Sequence, residues 1–455
     1  MYADNSALRQ AAAADEDSIA AHEQTEEQKV GLKRVIWSSI LGSILEWYDF
    51  YLYGTASALI FSQLFFTSLD PVTGIIASFS TLALGFVARP IGGLYFGGMG
   101  DRLGRKKVLL ITMFLMGGAT AVIGLLPTYD SIGIWAPILL AVCRLLQGFA
   151  AGGEYASAVA LTSEHAPKPR RGFFASLPGI GVSAGILLSA AIFTLFQQLP
   201  KEDFLSWGWR IPFLLSLLVV AVGTYIRLKV QESPVFEKMK EDDLLASAPV
   251  RELVSDPAAR KNLLVAFGAR AAEITGVNVF QVWILSYLVG WTAIGSGVGL
   301  IGIQVGQALS LLTIPMFGAL TDRVGRKPVY IGGAIFMALF VWPFFNMLNS
   351  GSSVMAVTAM ALMLSIGYQA MFAAQASYFS ELFSPRLRVT GFTTAREITA
   401  AVLGGTASII ATALTAKFAG AFWPVALYML AMCLITIVAL LIGPETHARR
   451  RPARP

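Results

Sequence analysis

The sequence predicts an all-α membrane protein, twelve transmembrane helices arranged as two pseudo-symmetric six-helix bundles. Three observations carry that expectation. Residues of the set AVILMFWYC make up 55% of the 455 residues and charged residues only 14%, against about 25% charged in an ordinary soluble chain. The apolar residues gather in non-alternating runs of about 20, enough for a helix to cross about 30 Å of hydrocarbon. Finally, Gly97-Gly-Met-Gly-Asp101-Arg-Leu-Gly-Arg-Lys106 returns as Gly318-Ala-Leu-Thr-Asp322-Arg-Val-Gly-Arg-Lys327, 221 residues later. A weaker pair, Ser163-Glu164 with Pro167 and Arg171-Gly172 against Ser380-Glu381 with Pro385, Arg388 and Gly391, repeats at an offset of 217. Two nearly equal offsets imply a duplicated six-span half. Disorder and an outer-membrane barrel are excluded, the first by hydrophobicity and the second by the lack of alternation.

In chain order, residues 1–32 read as a polar tail, without the basic start and apolar core of a signal peptide. Runs near 33–61, 73–100, 107–126, 136–162, 172–196 and 209–229 form the first bundle, 33–229. Residues 230–259 are a charged connecting loop. Runs near 261–290, 297–320, 328–348, 354–380, 391–416 and 421–443 form the second bundle, 260–443. A basic tail, 444–455, carries Arg449-Arg450-Arg451. With both ends inside, 26 Lys and Arg fall near the inner face and three (Lys201, Arg210, Lys417) in outer loops. That asymmetry places both termini in the cytoplasm. The net charge of +6 therefore reflects topology and not nucleic-acid binding. Cys143 and Cys433 lie in apolar runs, so neither a disulfide framework nor a metal site is expected. No phosphate-cradling Gly-x-x-x-x-Gly-Lys-Ser/Thr occurs, and Gly297-Val-Gly-Leu-Ile-Gly302 lacks the strand–turn–helix setting of a dinucleotide site. No cofactor is expected.

Charges within spans are expensive and mark function by default. There are four cations, Arg89, Arg144, Arg270 and Arg396, and five acids, Glu46, Asp49, Glu154, Glu273 and Glu397. Glu46 lies 12 residues past Arg34, about 18 Å deep at 1.5 Å per residue. Asp49 is one turn on, and Arg270 and Glu273 in span 7 have comparable depth. An acidic pair on span 1 is thus expected to face a basic–acidic pair on span 7 across the pseudo-axis. Arginine's planar fork matches a carboxylate bidentately and keeps its charge. Arg89 and Arg144, with Gln147 one turn further, are candidates to hold an anionic substrate. Arg270 and Arg396 either do likewise or neutralise Glu273 and Glu397. Tyr53 is a candidate pocket wall. Proton coupling needs a carboxylate whose protonation responds to desolvation and neighbouring charge. Glu46, Asp49, Glu154 and Glu273 qualify, because the three histidines, His22, His165 and His447, lie in tails or loops. Asp101 and Asp322 are expected on turns, each accepting from a neighbouring helix N-terminus while arginines clamp the loops. The gate set is Gly97, Asp101, Arg102, Gly104 and Arg105, with Asp322, Arg323, Gly325 and Arg326.

The repeated Gly-x-x-x-Asp-Arg-x-Gly-Arg-Lys motif resembles the loop signature of the major facilitator superfamily. The resemblance narrows to its metabolite:proton symporter family on Glu46-Trp-Tyr-Asp-Phe-Tyr-Leu-Tyr-Gly54, Arg89-Pro-Ile-Gly-Gly93, Gly100-Asp-Arg-Leu-Gly-Arg-Lys106, Arg144-Leu-Leu-Gln-Gly-Phe-Ala-Ala-Gly-Gly-Glu154 and Trp207-Gly-Trp-Arg-Ile-Pro-Phe213. It spans nearly the whole chain after residue 33. It implies a carrier of shikimate, 2-oxoglutarate, citrate, other dicarboxylates or the osmolytes proline and betaine, with the Asp101 and Asp322 segments latching the outward-open state. Arg270-x-x-Glu273 is most similar to the shikimate branch, and Arg396-Glu397 departs from the implied pattern. The expectation is a monomeric, multi-pass inner-membrane symporter importing a small organic carboxylate with protons. Osmolyte carriage and proton-antiport drug efflux are the alternatives; a membrane enzyme or sensor fits least.

Overall fold

The computed structural model describes residues 26–447 apart from 70, 247 and 293. The expected N-terminal tail up to residue 25 and the Arg449–Arg451 cluster lie outside the described residues. Among those described the fold is helical, with no strand. The first half comprises α1 (Glu26–Leu59), α2 (Pro71–Leu103), α3 (Arg105–Leu125), α4 (Trp135–His165), α5 (Arg171–Ser176 continued by Pro178–Gln197) and α6 (Arg210–Leu228). The second comprises α7 (Pro257–Ala269, Ala271–Val277 and Ile284–Trp291), α8 (Ser296–Val324), α9 (Arg326–Leu348), α10 (Ser353–Leu362 and Gln369–Leu382), α11 (Arg388–Thr399 and Gly405–Lys417) and α12 (Trp423–Ile442). Eleven of the twelve are long and apolar enough to span a membrane. The exception, α1, starts in the polar stretch at Glu26 and carries Lys33, Arg34, Glu46 and Asp49.

Several elements differ from expectation. Residues 26–32, expected in the tail, are the first turns of α1. The connecting loop holds two short helices, Pro234–Glu241 and Pro249–Ser255, and α7 begins within it at Pro257. Asp101 and Asp322 lie on the last turns of α2 and α8, not on loops. The turn shrinks to one residue, because Gly104 and Gly325 alone join the flanking helices at φ of 104° and 102°. A Cβ there would be strained, which explains why both repeats place glycine at that point. In the second half α7, α10 and α11 each pass through a π-helical turn, at Asn278–Trp283, Met363–Tyr368 and Ala400–Gly404.

Within the first half α2 packs on α4, α1 on α5, and α3 on α4 and α6. The halves meet along α2 against α11 and α5 against α8. The α2 seam is close: a Cβ on Gly97 would come within 3.0 Å of the Thr390 Cα, so small residues permit the approach. Leu312, Leu339 and Val354 are exposed on the outside, as a lipid-facing surface requires. Trp135, Trp291 and Trp423 are exposed at helix ends, where amphipathic rings favour the membrane–water boundary.

Candidate functional site

Three helices of the first half, α1, α2 and α4, direct polar side chains into one small space, and α3 adds Met116. It is lined by Glu46, Asp49, Phe50, Arg89, Arg144 and Gln147, with Gly85, Met116, Gly148 and Ala151, and has a volume of about 10 Å³. That is room for about one water molecule, so this space is filled by its own side chains. Arg89 of α2 donates to Glu46 of α1 at 2.9 Å. Arg144 of α4 lies over the Phe50 and Tyr53 rings, 5.3 and 4.6 Å from their centroids. Its Nη1 donates to Gln147 Oε1 at 3.2 Å, while its buried Nε has no partner. No carboxylate of the described residues pairs with it, whereas Arg89, Arg270 and Arg396 are each ion-paired. Tyr53 is fully buried, its hydroxyl 2.6 Å from Thr81 Oγ1, and so supports Arg144 from below.

Glu46 and Asp49 line the same space without sharing a partner. Asp49 Oδ2 accepts from Thr120 of α3 at 2.5 Å, and Oδ1 is buried and unpartnered. Gln147 Nε2 donates to the same Thr120 oxygen at 2.6 Å. A continuous chain of hydrogen bonds thus links Arg144 to Asp49.

Among the described residues no ion pair joins the α1 acids to the α7 charges. Arg270 donates to Glu273 of its own helix at 3.0 Å and to the Arg396 carbonyl of α11. An acid one turn away satisfies it before it can cross the axis. Glu273 also accepts from Gln375 at 3.1 Å. Arg396 pairs with Glu397 at 3.4 Å and stacks 3.9 Å from the Tyr155 ring of α4, linking the halves; its Nη1 and Glu397 Oε2 are buried without partners. Glu154 is fully buried and taken up by Arg227 of α6 and Thr112 of α3. Arg227 also donates to the Leu109 carbonyl and to Ser38 Oγ. This cluster stitches α1, α3, α4 and α6 together.

At the basic end the two repeats build matching junctions between the halves. Asp101 accepts from the N–H groups of Val389 and Thr390 at the start of α11, at 3.2 and 2.8 Å. Asp322 accepts from Gly172 and Phe173 at the start of α5, at 2.7 and 2.8 Å. Each carboxylate meets the positive end of a helix. Arg105 pairs with Glu164 at 3.4 Å, and Glu164 with Arg388 at 2.5 Å; Arg326 pairs with Glu381 at 2.9 Å. Arg102 and Arg323, expected in the clamp, point to solvent instead, since the helical register at 102 and 323 faces away from the seam. Sequence reasoning gave no role to Thr112, Thr120, Glu164, Arg227, Glu232, Glu381 or Glu445. The repeat did carry a signal for some of them: Glu164 and Glu381 fall in the weaker pair, and Glu232 and Glu445 cap α3 and α9 through the backbone N–H groups of Arg105, Lys106, Arg326 and Lys327.

The family described as sugar (and other) transporters matches residues 35–264 and 239–450. The shikimate transporter of Escherichia coli (strain K12) is 39% identical over 91% of this chain and 95% of its own. A glycine betaine/proline/ectoine/pipecolic acid transporter, OusA of Dickeya dadantii (strain 3937), is 34% identical over 91% of this chain and 84% of its own. Among solved structures, the proton:xylose symporter XylE bound to 6-bromo-6-deoxy-D-glucose overlays with a TM-score of 0.74 at 15% identity, over 92% of this chain and 97% of its own; at that identity the likeness concerns the fold. Twelve helices in two halves, paired junctions at one end and matching relatives along nearly the whole length agree. The chain belongs to the sugar (and other) transporter family, and is a transporter and not an enzyme.

Proposed function

We propose that this chain imports a small organic carboxylate, such as shikimate or a dicarboxylate, together with protons by alternating access. The observation that carries the reading is Arg144, a guanidinium buried mid-helix with an unpartnered Nε and, among the described residues, no carboxylate in ion-pair contact. A substrate carboxylate would complete it with paired charge-assisted hydrogen bonds. Arg89 beside it is held by Glu46, and Asp49 lies within one hydrogen-bond chain, placed to exchange a proton as the substrate arrives. With only about 10 Å³ around Arg144, binding there requires the helices to part on one side. The kinship with a shikimate transporter supports a carboxylate.

Kinship with a betaine and proline transporter favours a zwitterionic osmolyte instead. A quaternary ammonium seeks open aromatic faces, and here both Phe50 and Tyr53 already carry guanidinium groups. The same buried cations oppose a lipophilic cation as an efflux substrate. The 26 to three distribution of Lys and Arg supports an inner-membrane orientation with the Asp101 and Asp322 junctions and both termini in the cytoplasm. Such a carrier works as a monomer in the lipid bilayer. The test is uptake by proteoliposomes of labelled shikimate, 2-oxoglutarate, citrate, proline and betaine, with and without an inward proton gradient. Accumulation of a carboxylate only with the gradient is expected; gradient-driven uptake of betaine or proline alone would overturn the reading.

A further inference from the structure

We propose that Thr120 of α3 is a positioning residue that lets Asp49 gain and lose a proton without stranding a hydrogen bond inside the membrane. The inference rests on the reading of Asp49 as a coupling carboxylate. Arginine donates only, so Arg144 fixes the Gln147 amide with its oxygen toward the guanidinium. The Gln147 nitrogen must then donate to Thr120 Oγ1. One hydroxyl proton and one lone pair remain at Thr120, and two groups stand ready for them: Asp49 Oδ2 at 2.5 Å and the Met116 carbonyl at 3.0 Å.

Those distances admit two complete arrangements. When Asp49 is charged, the Thr120 hydroxyl donates to its carboxylate. When Asp49 is protonated, its O–H donates to Thr120, whose own proton swings to the Met116 carbonyl. Rotation of a single C–O bond converts one into the other. Only a hydroxyl, both donor and acceptor, can serve both states. The exchange matters because Asp49 is 1% exposed and its other oxygen has no partner, so a lost bond there is not replaced by water. The remaining charged and titratable neighbours are Glu46, Tyr48 and Tyr53 on α1, Arg89 on α2 and Arg144 on α4. The Glu154–Arg227 pair of α4 and α6 is self-neutralised, and the charges of α3, Arg105, Lys106 and Lys107, lie in its first turn, more than three turns from Thr120.

The experiment is an infrared titration of the full-length protein in lipid vesicles, following the C=O band of a protonated carboxyl group that disappears in Asp49→Asn. Wild type and Thr120→Ser are expected to titrate together. In Thr120→Val and the smaller Thr120→Ala, the charged state loses its donor, and the midpoint moves up by about one to two pH units. The band also moves to higher frequency as its hydrogen bond is lost. Titration of Val and Ala variants with wild type would overturn the proposal. So would a Ser variant that shifts as far as Val, because packing and not the hydroxyl would then be responsible, or the absence of any band lost in Asp49→Asn. Gradient-driven accumulation of labelled shikimate by Asp49→Asn, measured in the same vesicles, probes coupling separately. If it persists, the coupling reading fails, while the titration still decides the role of Thr120.

Discussion

Arg144 keeps its charge at any physiological pH, and its neighbours leave part of its hydrogen-bonding capacity unused. Lysine in its place would keep the charge but lose the fork and the stacking on Phe50 and Tyr53. Arg144→Lys is therefore expected to lower the uptake rate at least tenfold, the effect of losing one charge-assisted hydrogen bond of about 1.5–3 kcal/mol. Size-exclusion profiles in detergent should match wild type, and unchanged affinity for shikimate would return Arg144 to a structural role. Asp49→Asn removes the titrating proton while retaining an acceptor for Thr120. It is expected to exchange internal for external substrate, which needs no net proton movement, yet to lose accumulation driven by a pH gradient. Counterflow and gradient-driven uptake in one vesicle preparation separate the two. Glu46, Asp49, Arg89 and Arg144 were legible in the sequence because a charge inside an apolar run stands out. Thr120 and Thr112 were not, because a threonine in a span ordinarily turns its hydroxyl back to the i−4 carbonyl. Which acid meets which base was equally hidden: Arg270 could be read toward α1, and only packing shows it spent on Glu273 and α11.

At the scale of elements, the junctions and the stitched cluster act oppositely. Asp101 holds the first turn of α11 by two backbone N–H groups, a contact that must break each time that side opens. A carboxylate at a helix N-terminus contributes about 0.3–2 kcal/mol. Asp101→Asn is therefore expected to shift the population of the state open at that end by up to about thirtyfold. The uptake rate should fall more than equilibrium affinity; a large loss of affinity at unchanged rate would contradict a latch. The Glu154–Arg227 pair lies within one half and has no reason to open. Arg227→Met leaves a buried unpaired carboxylate and should destabilise the first half by about 3–5 kcal/mol, read as a lower unfolding temperature. Adding Glu154→Met should restore much of the loss. Helix positions were legible from apolar runs, but their ends were not. Residues 26–29 are polar in sequence and Pro257 and Ala258 are exposed, and at the latter end capping, Asp256 accepting from Ala258 and Ala259, extends the helix beyond its apolar stretch.

For the whole molecule, duplication is visible in sequence as a repeated motif and in structure as paired junctions, α2 on α11 and α5 on α8. The copies have nevertheless diverged in their backbones. Among the described residues, π-helical turns interrupt α7, α10 and α11, and the spans of the first half have none. Each such turn accommodates an extra residue, and one residue is about 100° of rotation in an α-helix. The stretches on either side of it are therefore out of phase with an uninterrupted helix, like two gears meshed one tooth apart. In α11 the turn at Ala400–Gly404 separates the portion bearing Arg396 and Glu397 from the outer portion, Gly405–Lys417. Removing the exposed Val402 would let that segment relax into ordinary helix at little hydrogen-bonding loss. Because the turn absorbs that extra residue, the portions on either side would keep their relative facing, with Arg396 still over the Tyr155 ring and the outer apolar face still toward lipid. These three helices can therefore lose one residue at the π-helical turn with little change of facing, whereas a deletion in a regular span of the first half turns everything beyond it by about 100°.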